Sequence, residues 1–310
     1  MRRPFSSSRG STEHPSERAA PPVPAGTTGP CPPRGAPGGD EEIGQASGRT
    51  VITPPTVPED HVLDSVEGPT VSSFVLVHGS WHGPWCWYRV VPRLREAGHQ
   101  VRTPQLPAHG VDPTAAAGVT FADYVDRVCA AVDEAEEPPT LVGHSMGGHA
   151  VTQATEDRAA DLGRVVYLAA FLPADGQSLT DLDLSGYGSE LVDHVVPDEE
   201  RGTLALDPEG AVEGLYHDCS DEDVALAQSL LRPEPAGPRT VPVDLSASGY
   251  GSVPRTYVEC TEDRSLPVAF QRAMRESVPC EDVRSLETSH SPFFSAPDEL
   301  VGVLEAAAAG

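Results

Sequence analysis

The chain of 310 residues contains no lysine; all 21 basic residues are arginine. That excludes Schiff-base chemistry, a P-loop lysine and any other mechanism that needs a lysine amine at the active site. Positive charge is scarce altogether. Against 47 acidic residues the formal net charge is −26, which argues against nucleic-acid and anionic-membrane partners. The deficit is not confined to a tail. Residues 71–310 hold 15 Arg against 38 Asp plus Glu, a difference of −23, as expected of a solvated acidic surface. Paired cysteines are missing too: Cys31, Cys86, Cys129, Cys219, Cys260 and Cys280 are scattered, with no C-x-x-C and no Cys/His cluster. They read as free thiols of a reducing compartment, not as a disulfide frame or a zinc site, and no metal or cofactor is expected. No apolar run approaches the roughly 18 residues of a membrane span. Met1-Arg2-Arg3-Pro4-Phe5 lacks the apolar h-region that should follow a twin-arginine signal, so a cytoplasmic location is expected.

Large apolar residues are nearly absent from residues 1–70, which carry 13 Pro and 9 Gly. Such a stretch cannot bury enough surface to offset chain entropy, so a disordered extension without a catalytic role is expected there. Residues 71–310 form the folded domain, with room for one large α/β core. Ser73–Gly79 is a continuous apolar run ending in Gly, the pattern of a strand buried on both faces. A helix near Val90–Ala97 with Gly98 as its stop, a strand His99–Pro104 and an amphipathic helix Phe121–Ala135 follow. Strand Thr140–His144, a helix from about Met146 to Arg158, and strands Arg164–Phe171 and Arg255–Thr261 come next. Helix Pro267–Ser277, strand Asp282–Leu286 and helix Pro297–Ala308 complete the chain. The alternation predicts a mostly parallel, doubly wound sheet covered on both faces. It lapses at about 173–253, an acidic, turn-rich segment with one clear helix in Asp221–Leu231, placed where a lid over an active site would sit.

Gly143-His144-Ser145-Met146-Gly147 is a G-x-S-x-G sequence entered from an apolar run and followed by helix-compatible residues. It predicts a serine on a sharp strand-to-helix turn, its hydroxyl raised at the carboxyl edge of the sheet. A serine hydroxyl becomes nucleophilic only when a base takes its proton and an acid fixes that base. In this arrangement acid and base follow the serine in that order. Of the four histidines after Ser145, His149 lies on the adjoining helix and His194 and His217 in the lid region. His290 follows the last strand in a Ser/Thr-rich loop, the expected place for the base. The acid is expected in Thr261-Glu262-Asp263, with Asp263 leading and Glu262 its rival. The oxyanion donors should be the backbone N–H of Met146 and that of Ser80 in the loop His78-Gly79-Ser80-Trp81-His82-Gly83. His78 and His82 are expected to be structural. Trp81, Phe171, Leu215 and Tyr216 are candidates to line an apolar substrate pocket, or are ordinary core.

The stretches His78–Trp87, Gly143–Gly148 and Cys260-Thr261-Glu262-Asp263 resemble α/β-hydrolases of the plant methylesterase and hydroxynitrile lyase group. So do the lid segment Leu215–Ala227 and, more loosely, Ser289-His290-Ser291-Pro292. The resemblance runs from about Val71 to Leu304. It implies an α/β-hydrolase fold with an inserted lid, Ser145 as nucleophile, His290 as base, Asp263 in preference to Glu262 as acid, and Ser80 and Met146 as oxyanion donors. The lyases of the group place a threonine directly after the first-loop histidine and a lysine directly after the catalytic one. This chain has Gly79 and Ser291 at those positions, so the resemblance points to the esterase side. A serine esterase acting on small or aromatic carboxylic esters, methyl esters among them, is the expected function. The alternatives are a secondary-metabolite tailoring hydrolase or cyclase on the same residues, and a non-catalytic ligand-binding protein of the same fold. The expected partner is a small-molecule ester; self-association as a homodimer is left open.

Overall fold

The structure, a computed structural model, describes residues 71–310; the extension expected at residues 1–70 lies outside them. In chain order its elements are β1 (Ser73–Val77), α1 (Val90–Glu96), β2 (Gln100–Arg102), α2 (Phe121–Asp133), β3 (Thr140–His144), α3 (Gly147–Asp157) and β4 (Arg164–Leu168). Then come β5 (Val195–Asp198), β6 (Thr203–Leu206), the single turn α4 (Pro208–Gly210), α5 (Asp221–Leu230) and β7 (Glu234–Pro235). Last are β8 (Arg255–Cys260), α6 (Val268–Ser277), β9 (Asp282–Leu286), α7 (Pro292–Ser295) and α8 (Pro297–Ala308). Six strands pair in the order β2-β1-β3-β4-β8-β9, every pair parallel.

Side-chain alternation on the strands decides the layers. Val75, Val77, Leu141, Val165, Tyr167 and Tyr257 face one side and pack with Phe121, Val125 and Val128 of α2, Ala150 and Val151 of α3, and Phe270 and Met274 of α6. Phe74, Leu76, Val142, Val166, Leu168 and Val258 face the other and pack with Val90 and Leu94 of α1 and Leu300 and Leu304 of α8. A strand buried on both faces has no polar alternation, which is why β1 and β3 read as unbroken apolar runs. Each such side chain contributes about 1.5–3 kcal/mol through burial. Thr120 starts α2 with a capping box, its hydroxyl accepting from the Asp123 N–H while the Asp123 carboxylate accepts from the Thr120 N–H.

The structure shortens several expected elements. β2 is only three residues long, and β4 stops at Leu168 instead of reaching Phe171. Ala169 takes φ 40°, turning the chain so that the Phe171 N–H donates to the Ser145 carbonyl at 3.1 Å. Between β4 and β8 the chain builds a small antiparallel sheet, β5-β6-β7, that the sequence does not suggest. Its strands have four, four and two residues and include Pro197 and Pro235, too short and too broken for a period of two to show. Between β6 and β7 the chain makes a π-turn over Ala211–Leu215 and enters α5, which Ser220 caps by accepting from the Asp223 N–H.

Small residues set how closely α3 approaches the sheet. A Cβ on Gly148 would lie 2.1 Å from the Phe171 carbonyl oxygen. Gly148→Ala is therefore expected to destabilise the protein by about 3 kcal/mol or more, at the upper end of overpacking costs. Gly302, exposed within α8 with nothing near its Cβ position, is the control. Gly302→Ala should stabilise by roughly 0.5–1 kcal/mol. Urea denaturation of the two variants measures both signs.

Candidate active site

The carboxyl ends of the parallel strands gather the site. β1 runs into His78–Gly83, β3 into Ser145, β8 into Asp263 and β9 into His290. β1 lies between β2 and β3, so the winding reverses beside it, and the crevice outside such a switch point is where open α/β sheets bind ligands. Ser145 sits between β3 and α3 at φ 53°, a left-handed conformation that costs a non-glycine residue free energy and is held by its surroundings. Those surroundings are backbone. The Ser145 N–H donates to the Leu168 carbonyl at 3.3 Å, and the Ser145 carbonyl accepts from Gly148 and Phe171. Gly79 and Gly147 let two more segments approach: a Cβ on Gly79 would lie 2.7 Å from Ser145 Cβ, and one on Gly147 would lie 2.7 Å from the His78 carbonyl oxygen.

His290 and Asp263 meet. Nδ1 of His290 donates to Oδ2 of Asp263 at 2.7 Å, both side chains buried. Oδ1 of Asp263 accepts the N–H groups of Ser265 and Leu266, each at 2.8 Å, and Oδ2 also accepts Nε2 of Gln271 at 3.3 Å. The carboxylate is thus immobilised with its charge spread over four donors. Glu262, its neighbour, is not buried. His144 ties His290 to the turn that carries Ser145, its Nε2–H donating to the His290 carbonyl at 2.9 Å with the two rings 4.6 Å apart. Oγ of Ser145 makes no hydrogen bond among the described residues, so His290 and Ser145 are neighbours through His144 and not yet through the hydroxyl.

The N–H groups of Ser80 and Met146 have no acceptor among the described residues, and both residues are buried. Trp81 is buried next to Ser80, its indole N–H donating to the Leu204 carbonyl at 2.9 Å. Phe171 packs its ring edge-to-face with Phe270, while Leu215 and Tyr216 are buried in the same cluster as Trp81. His149 stacks on Phe121 in the core, at 3.9 Å between centroids, and His194 bonds Asp207 out in the insertion. Three partners escape sequence reasoning: Gln271 on α6, His144, and Ser289, whose hydroxyl accepts the Ser291 N–H at 3.3 Å. His144 and Ser289 leave a trace only by adjoining Ser145 and His290; Gln271 leaves none. Among the described residues no group of three or more His, Cys, Asp or Glu is placed to hold a metal ion.

The model of the alpha/beta hydrolase family matches residues 74–303. The chain belongs to that family. It is 32% identical over 249 residues to Methylesterase 9 of Arabidopsis thaliana, covering 73% of this chain and 94% of that protein. It is likewise 32% identical over 250 residues to polyneuridine aldehyde esterase of Rauvolfia serpentina, covering 73% and 92%. The crystal structure of polyneuridine aldehyde esterase superposes with a TM-score of 0.68 at 31% identity, covering 76% of this chain and 98% of that one. Against the longer chloroplastic methylesterase 13 of Arabidopsis, 32% identical over 257 residues, the match covers 79% of this chain but 58% of that protein.

Burial lowers the pKa of His78 and His144 well below the usual imidazole range, and those of His82 and His149 to about 4. In the unfolded chain these rings titrate near 6.5. Between about 4 and 6.5 the unfolded state therefore binds more protons than the folded one, and stability falls as the pH falls through that window. Each ring contributes up to about 1.4 kcal/mol per pH unit there. Denaturant midpoints taken from about pH 7.5 down to about pH 5 should decline steadily. A flat or rising series would show that the rings are not held neutral.

Proposed function

We propose that this carboxylic ester hydrolase of the alpha/beta hydrolase family works by acyl transfer through Ser145, His290 and Asp263. The observation that carries the reading is the 2.7 Å His290–Asp263 bond, placed one residue-to-residue contact away from a serine held at positive φ. Asp263 fixes the tautomer with the proton on Nδ1, leaving Nε2 free to accept. When an ester enters, the Ser145 hydroxyl turns to Nε2, a bond that free enzymes often leave long. His290 takes the proton as Oγ attacks the carbonyl carbon. The oxyanion forms against the N–H groups of Ser80 and Met146, the alcohol leaves with the proton from His290, and water resolves the acyl-enzyme by the same steps. Loss of one oxyanion donor costs about 10²–10³ in kcat in such sites.

Trp81, Phe171, Leu215 and Tyr216 are assigned to the acyl pocket, which favours small or aromatic acids. Methyl esters are the first substrates to try, because several relatives are named methylesterases. Cyanohydrin cleavage is disfavoured. The chain has no lysine, and a side chain in place of Gly79 would press on Ser145 Cβ. Cys86, Cys219, Cys260 and Cys280 are free thiols among the described residues, which supports a reducing, cytoplasmic setting.

A panel of methyl and aryl esters, with fluorophosphonate labelling of Ser145, tests the reading. Ser145→Ala and His290→Ala should each lower kcat by about 10⁶, and Asp263→Asn by about 10⁴. Glu262→Gln should leave the rate within about twofold, as a substitution at a solvent-facing side chain away from the reacting atoms does. Binding of a small ester without turnover or labelling would make the chain a receptor. A cyclised product in place of an acid would make it a tailoring enzyme.

A further inference from the structure

Four consecutive residues of the insertion, Leu215-Tyr216-His217-Asp218, bond to all three loops that carry the oxyanion donor, the acid and the base. The Leu215 carbonyl accepts from Oγ of Ser289 at 3.2 Å, and Oδ2 of Asp218 accepts from the Ser289 N–H at 2.8 Å. Both bonds hold the residue directly before His290. Nε2–H of His217 donates to the Glu262 carbonyl at 2.9 Å, directly before Asp263. The Tyr216 hydroxyl lies 2.6 Å from Nε2 of His82.

The last contact reaches the oxyanion loop through a determined proton arrangement. Nδ1 of His82 is 2.7 Å from the Ser80 carbonyl, which can only accept, so Nδ1 carries the hydrogen. Nε2 of the neutral ring is then an acceptor, and Tyr216 donates. Burial lowers the pKa of His82 to about 4, so this is its form near neutrality. The same Ser80 carbonyl also accepts the His82 N–H at 2.7 Å, closing a three-residue turn around Trp81 at φ 60°. Tight turns of that hand are rare and strained. The His82 ring adds a second bond on the carbonyl that closes the turn, and this carbonyl belongs to the residue whose N–H is assigned to the oxyanion.

We infer that Leu215–Asp218 is a positioning strap that holds the oxyanion loop, the acid loop and the base loop in register with one another. The inference rests on the hydrolase reading above and adds residues that act through others on the reacting atoms. Three side chains of the strap each reach a different loop. Tyr216 supplies an O–H to His82, His217 an N–H to the acid loop, and Asp218 an acceptor to the base loop. The π-turn over Ala211–Leu215 runs directly into the strap, and α5 behind it is fixed by Asp223, which accepts from Arg89 through two nitrogens and from Tyr88. The strap is therefore held at both ends while its middle engages the loops.

The test compares Tyr216→Phe, His217→Ala and Asp218→Ala with wild type on an activated aryl ester, together with the rate of fluorophosphonate labelling of Ser145 and the thermal midpoint. Each should lower kcat and the labelling rate about tenfold, as one hydrogen bond lost from a transition-state geometry does, with KM within about twofold. His217→Gln and Asp218→Asn, whose amides supply the same donor and acceptor, should restore most of the rate. Unchanged kcat in all three variants would overturn the strap alone. So would a loss that follows the thermal midpoint and is not rescued by the amides. A wild type that neither turns over the ester nor takes the label overturns the hydrolase reading and the strap with it.

Discussion

Everything at the site depends on four backbone segments meeting without side chains between them. Gly79, Gly143, Gly147 and Gly148 each stand where a Cβ would come within 2.1–2.7 Å of a neighbour. Because they carry none, the end of β1, the end of β4 and the first turn of α3 close around Ser145. The left-handed serine is then held by hydrogen bonds from both sides. That closure costs conformational freedom at one point and yields a hydroxyl that stands clear of its own chain. It also explains why the first-loop position after His78 must be glycine here. The serine's own Cβ occupies the space a side chain would need.

A second layer is electrostatic. Asp263 is the only carboxylate bonded to His290 among the described residues, and its remaining lone pairs are filled by two backbone N–H groups and a buried amide. A carboxylate so held is fixed in the orientation that meets Nδ1 of the imidazole. The other buried histidines around the site, His78, His82 and His144, are kept neutral by burial; His78 and His82 each link two groups through one donor and one acceptor nitrogen, while His144 bonds through Nε2 alone among the described residues.

Much of this is legible in the sequence. Unbroken apolar runs identify the parallel strands because both faces of the sheet are covered, and β3, β9 and α8 have the bounds the pattern suggests. Ser145, Asp263 and His290 stand at strand ends that chain order alone points to. What escapes is of two kinds. The antiparallel sheet β5-β6-β7 leaves no period because its strands are too short, and β4 stops early because Ala169 turns out of the strand and lets the next residues reach the Ser145 carbonyl. The partners around the candidate site escape because a hydrogen bond between His144 and residue 290, or between Tyr216 and residue 82, spans more than a hundred positions and has no local signature.

The order of the site along the chain has a consequence in time. Synthesis proceeds from the N-terminus, and a domain generally folds as a unit. The loop after β1 and the Ser145 turn belong to the first strands made, Leu215–Asp218 comes next, and β9 with His290 comes nearly last. A nascent chain that stops before β9 therefore carries Ser145 without the strand that brings His290 beside it. Ser145 and His290 come together only when β9 pairs with β8 at the edge of the sheet, so the last strand made completes the cluster.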